Sequence, residues 1–106
     1  MADRTDLNAA LKIVEKYAEL LKETMDVKGV YLFGSFVRGG FDEDSDIDVA
    51  VISDEFNGDI VDDTIKLMRI RRKVDNRIEP HPFLAKDFNE NNPFVRELMS
   101  NNIKVA

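Results

Sequence analysis

Cysteine is absent from these 106 residues, which removes disulfide frameworks and thiolate metal sites and fits a reducing compartment, so a cytoplasmic location is expected. No apolar run approaches the roughly 20 residues that span a bilayer. The opening Met1-Ala2-Asp3-Arg4-Thr5-Asp6 is acidic where a secretory leader would be apolar. Neither a membrane span nor a signal peptide is expected. Long tracts of proline, glycine or serine are missing too, so one compact domain over 1–106, with a single modest core, is the expected organisation. Positive charge is in short supply, with 15 Lys and Arg against 21 Asp and Glu and a net charge of −6. That balance disfavours a grip on extended nucleic acid and favours a protein or small-molecule partner.

What is present begins with an amphipathic helix. Leu7, Ala10, Leu11, Val14, Tyr17, Ala18 and Leu21 recur at three- and four-residue steps, with Thr5 or Asp6 as the cap. After Lys28-Gly29, the continuously apolar Val30-Tyr31-Leu32-Phe33 predicts a strand covered on both faces. Ser35 to Arg38 can form a helical turn, Gly39-Gly40 breaks it, and Asp42 to Ser45 is a polar loop. Ile47 to Ile52 is then a second strand by its Val and Ile content. A second helix is expected over roughly 60–73, with Val61, Ile65 and Met68 as its apolar stripe. Its end is crowded by Arg69, Arg71, Arg72 and Lys73, where positive charge complements the helix dipole. Arg77 to Phe83 reads as a third strand. Pro80 and Pro82, two apart, leave one side of it without donors, so it must lie at a sheet edge or fray. Asn92-Pro93 is a helix cap followed by proline at the first helical position, and Ile103-Lys104-Val105 closes the chain as a short strand. The order predicts an α/β fold, a small sheet with helices packed on it.

The chemistry concentrates between Gly34 and Ile52. Asp46 and Asp48, if both on a strand, share a face at about 6.7 Å along the chain. Carboxylates so placed can converge on one divalent ion or bridge two. Oxygen donors without thiolate or a histidine cluster select a hard cation, magnesium or manganese over zinc. Gly34-Ser35, opening a short helix, offers backbone N–H groups and a hydroxyl to a phosphate. Metal and phosphate sites in one loop imply a nucleoside triphosphate.

The spacing Gly34-Ser35, ten residues, Asp46-x-Asp48 resembles the signature of the DNA polymerase beta-like nucleotidyltransferases. The short chain is similar to their minimal members, the MNT proteins. The resemblance covers about 30–83. It implies the polymerase beta-like fold, a small mixed sheet flanked by helices. It also implies a third carboxylate on a later strand, for which Glu79 is the candidate and Asp87 the reserve. Arg38 matches an arginine frequent in the family's turn, where it would steady the loop or touch phosphate. The implied reaction uses ATP and two Mg2+ or Mn2+ ions held by Asp46, Asp48 and Glu79, and passes a nucleoside monophosphate to a hydroxyl. Minimal members commonly pair with a small helical HEPN toxin, which they silence by attaching AMP, by binding, or by both. A protein adenylyltransferase acting as antitoxin is therefore the expected function. The alternatives are a binding module that shields a partner without catalysis, and transfer to a small molecule or RNA.

Asp42, Asp44, Asp46 and Asp48 resemble a calcium loop, but the EF-hand positions for glycine and glutamate hold Ile47 and Ser53. Asp42, Glu43 and Asp44 read as solvated loop charges. His81, the only histidine, would share a face with Glu79 and Phe83 and reads as structural or partner-facing, since three carboxylates already suffice. The Arg69 to Lys73 cluster reads as a solvated helix end, with a phosphate or RNA contact as the sharper alternative.

Overall fold

The computed structural model of the chain describes residues 6–42 and 44–106. Helix α1, Leu7–Thr24, begins where the Asp6 side chain accepts a hydrogen bond from the Ala9 N–H at 2.9 Å. Asp6 is thus one of the two expected caps; Thr5 and Glu43 lie outside the described residues. Strand β1, Gly29–Phe33, leads through Gly34 into the one-turn helix α2, Ser35–Arg38, and after a loop into β2, Ile47–Ile52. Helix α3, Ile60–Arg71, precedes β3, Ile78–Phe83, and helix α4, Pro93–Ser100, precedes β4, Asn102–Lys104. The Asn92 side chain accepts from the Phe94 and Val95 N–H groups, with Pro93 in the first turn, as the sequence predicts.

The strands form one mixed sheet in the order β3-β2-β1-β4. β1 runs antiparallel to β2 and to β4, whereas β2 and β3 are parallel. β3 is therefore an edge strand, and its prolines turn their missing donors away from β2. The sheet has a different cover on each face. Val30, Leu32, Ile47, Val49, Val51 and Ile78 pack with Ala10, Val14, Tyr17 and Leu21 of α1 and Leu67 of α3. Opposite them, Phe33, Ala50 and Ile52 pack with Leu98 of α4 and with Phe83 and Phe88. This second layer is thinner and reaches the last residue of β1, where Phe94 of α4 stands edge-on against Phe33.

The expected stripe of α3 is corrected. Val61 and Ile65 stay 65% and 43% exposed, and the helix instead buries Asp63 and Leu67. Two sets of residues recur at helical spacing here, and tertiary contacts choose between them. Tyr17 Oη donates to the Leu67 carbonyl at 2.8 Å, and the Asp63 carboxylate accepts from the Asn57 and Gly58 N–H groups, each at 3.1 Å. Arg71 also departs from a solvated helix end, because its Nη1 donates to the Ile78 carbonyl at 2.7 Å and ties α3 to β3. Arg69, Arg72 and Lys73 are exposed.

Candidate active site

Three strands meet in one cross-sheet row, because Phe33 pairs with Asp48 and Asp48 pairs with Glu79. Alternation along β2 and β3 sends Ile47, Val49 and Ile78 into the α1 and α3 layer and leaves Asp48 and Glu79 on the other face. The next row on that face holds Tyr31, Ala50 and His81. Ala50 has no bulk to fill its place, and His81 leans diagonally until Nε2 lies 3.4 Å from Asp48 Oδ1. Ligand atoms of Asp48, Glu79 and His81 all fall within 4.8 Å of one another. Asp46 sits one residue before β2, exposed, and adds its charge to the surroundings of Glu79.

Gly34 closes the row from above. Its φ of +83° is a conformation that side-chain-bearing residues avoid, and a Cβ there would come within 3.1 Å of Asp48 Cγ. The glycine thus serves both the turn into α2 and the seat of the Asp48 carboxylate. The loop before Asp46 is built by its own side chains, since Asp42 Oδ1 accepts from the Asp44 N–H and Ser45 Oγ accepts from the Asp42 N–H, both at 2.9 Å. Asp42 is exposed but shapes the loop that presents Asp46, a local task beyond that of a solvated charge.

Crowded charge marks the cluster. Partial burial, with Asp48 and Asp46 nearby, raises the Glu79 carboxyl above its ordinary value, while His81 opposes the shift. His81 is held between Phe33 and Phe94, with ring centroids 5.2 and 5.7 Å away. Beside the row lies a cleft of about 200 Å3 lined by Phe33, Gly34, Arg38, Phe94, Glu97 and Leu98. Arg38 thus borders the turn, exposed, and Ser35 opens α2 beside it. A larger depression of about 540 Å3, lined by Phe56, Ile60, Asp63, Phe83 and Asp87, lies at the other end of β3. Asp87, the reserve third carboxylate, belongs there, well away from Asp48.

The donor set suits a divalent cation. Two carboxylates and an imidazole nitrogen, with no thiolate, lie as close together as atoms sharing one ion of about 2.1–2.4 Å bond length. Sequence reasoning placed His81 on the right face but missed that it joins the carboxylates. The signal was available in the two-residue offset from Glu79 and in Ala50, the small residue that lets the imidazole lean across.

Comparison with known proteins bears on the same fold and motif. Residues 12–104 match the model of the nucleotidyltransferase domain family. A candidate protein adenylyltransferase of Methanocaldococcus jannaschii is 35% identical over 68 residues, 64% of this chain and 68% of that protein. The crystal structure of a candidate nucleotidyltransferase from Sulfolobus solfataricus is similar with a TM-score of 0.66 at 18% identity, over 92% of this chain and 80% of that one. A crystal structure of a toxin–antitoxin with AMP-PNP gives 0.57 at 19% identity, over 87% of this chain and 72% of that one. Likeness at such low identity speaks for the fold, whereas the family match runs through nearly all of the sequence, so the chain belongs to the nucleotidyltransferase domain family.

Proposed function

We propose that the chain transfers AMP from ATP to a hydroxyl on a partner protein, a small helical toxin of the HEPN kind, and acts as its antitoxin. The carrying observation is that Glu79 of β3 meets Asp48 of β2 directly beneath the Gly34 turn. The relative named for protein adenylylation and the fold shared with a toxin–antitoxin bound to AMP-PNP support the choice of acceptor and donor. The acidic chain, at −6, suits a protein acceptor better than a nucleic-acid one.

Gly34, Ser35 and Arg38 bind and orient the triphosphate, and the adjoining cleft beside Phe94 receives the nucleoside. The acceptor oxygen attacks the α-phosphorus and forms the new ester bond. The bond from that phosphorus to the α,β-bridging oxygen breaks, and pyrophosphate leaves with the electron pair. Glu79 lies beside the acceptor hydroxyl and takes its proton on a carboxylate oxygen as the new bond forms. Divalent cations, Mg2+ or Mn2+ with two ions expected, would be held by Asp46, Asp48 and Glu79 and supply charge neutralisation to the pyrophosphate as it departs.

Incubation with labelled ATP, Mg2+ and the product of the neighbouring gene tests the reading. A mass increase of one or more AMP units on the partner, lost with Asp46→Asn, is expected. Complex formation without modification would replace it with the shielding antitoxin. Transfer at the wild-type rate by the Asp46→Asn/Asp48→Asn chain would end the proposed mechanism.

A further inference from the structure

His81 is the feature that an all-carboxylate site leaves without a task. Its Nε2 is 3.4 Å from Asp48 Oδ1, beyond the usual 2.7–3.2 Å of a hydrogen bond. The two atoms are thus too far apart to satisfy each other well, yet both fall inside the 4.8 Å group with Glu79. Its orientation is fixed from outside the site. Phe33 presents itself edge-on at 60° and Phe94 lies tilted at 37°, so the imidazole is gripped by rings from β1 and α4. Ala50, fully buried between the rows, leaves the diagonal open. A nitrogen donor held in place and aimed at two carboxylates is a ligand arrangement, and it changes the cation that the site prefers.

We propose that His81 Nε2 binds the divalent cation together with Asp48 and Glu79, and that this mixed nitrogen and oxygen set favours a first-row transition cation over magnesium. The inference rests on the proposed metal-dependent reading of the site. The physical reason is ligand softness. Magnesium gains little from imidazole and demands near-ideal oxygen geometry, whereas manganese and the later divalent ions accept nitrogen readily. A histidine at this position therefore tilts selectivity without adding charge, while Asp46, outside the group, is left free to share a second ion or the triphosphate.

The test uses the full chain, freed of metal, with Mn2+ alone as the probe and Mg2+ as competitor. Electron spin echo modulation of the bound Mn2+ is expected to show a directly coordinated nitrogen that disappears in His81→Phe, which keeps an aromatic ring between Phe33 and Phe94. Titration is expected to show Mn2+ affinity falling roughly tenfold or more in His81→Phe, and Mg2+ affinity changing less than about threefold. His81→Gln is the second variant should the ring exchange disturb folding, and it is expected to lose the same nitrogen signal. Mn2+ binding that needs Asp48, measured with Asp48→Asn, but shows no nitrogen coupling and is indifferent to both His81 variants would overturn the inference while leaving the carboxylate site intact. Binding indifferent to Asp48→Asn would remove both.

Discussion

Replacing Gly34 by alanine separates two demands that the turn makes on one residue. The first is conformational, because φ is +83° with ψ −152°, a region nearly reserved for glycine that costs a side-chain-bearing residue about 1–3 kcal/mol. The second is steric. A Cβ at Gly34 would stand 3.1 Å from Asp48 Cγ and 3.2 Å from its Cβ, with the carboxylate oxygen closer still, so Asp48 must shift or turn. Overpacking of this kind adds about 1–3 kcal/mol. Gly40 provides the control, since it has the same φ of +83° and nothing within 4 Å of its hypothetical Cβ. At roughly 4–8 °C per kcal/mol for a domain of this size, the about 1–2 kcal/mol of a left-handed φ in Gly40→Ala should lower the melting temperature by about 4–16 °C, and the overpacking should lower Gly34→Ala by about 4–24 °C more. Circular dichroism melts of the metal-free chains measure the difference. Gly34→Ala should also weaken Mn2+ binding at least roughly tenfold, because the displaced carboxylate is the one facing His81. Gly40→Ala should leave that affinity unchanged. Equal melting shifts in the two variants, or an unaltered Mn2+ affinity in Gly34→Ala, would refute the idea that Gly34 makes room for Asp48.

Glu79 has its carboxyl raised above the ordinary 4.5, so its contribution to stability is full below that pH and is lost as pH rises through the raised value. Denaturant midpoints of the metal-free chain should therefore fall over that window relative to Glu79→Gln, and a gap between the two that does not vary with pH would contradict the partial burial of Glu79 and its crowding by Asp48 and Asp46. Asp75 acts in the opposite sense, since Arg77 holds its carboxyl below 3.8 and its contribution is lost only as pH falls through that lower range. Asp63→Ala should destabilise by about 2–3 kcal/mol, because the Asn57 and Gly58 N–H groups lose a buried acceptor, whereas Asp63→Asn keeps one acceptor oxygen and should cost less. Urea denaturation compares them, and equal losses would mean that the residue's volume matters more than its oxygens.

Local signals made much of this molecule readable. Gly29 and Gly34 bracket an apolar run and define β1, Asn92-Pro93 marks the start of α4, and the paired prolines place β3 at an edge before any partner strand is known. The position of Glu79 facing away from Ile78 follows from strand alternation alone. What stayed hidden depended on pairing across the chain. The 33-residue separation of His81 from Asp48 closes only through the parallel register of β2 and β3, which no local pattern specifies. Helix α3 offered two stripes of similar spacing, and the choice of Leu67 over Ile65 comes from the Tyr17 hydroxyl and from the hydrogen-bonding of Asp63. Asp46 stands one residue before β2, at the strand entrance where the sequence puts it, and the Asp42–Ser45 turn leads into it.

The cross-sheet row also polices how the chain folds. The register of β2 and β3 places Asp48 opposite Glu79, and a slip of one residue would drive Glu79 into the layer now filled by Ile78 and Leu67. Burying an unpaired carboxylate there costs several kcal/mol, far more than the repulsion tolerated in the native row. Glu79 therefore acts as a proofreading device for strand registration: the wrong sheet is penalised by the same side chain that meets Asp48 in the right one.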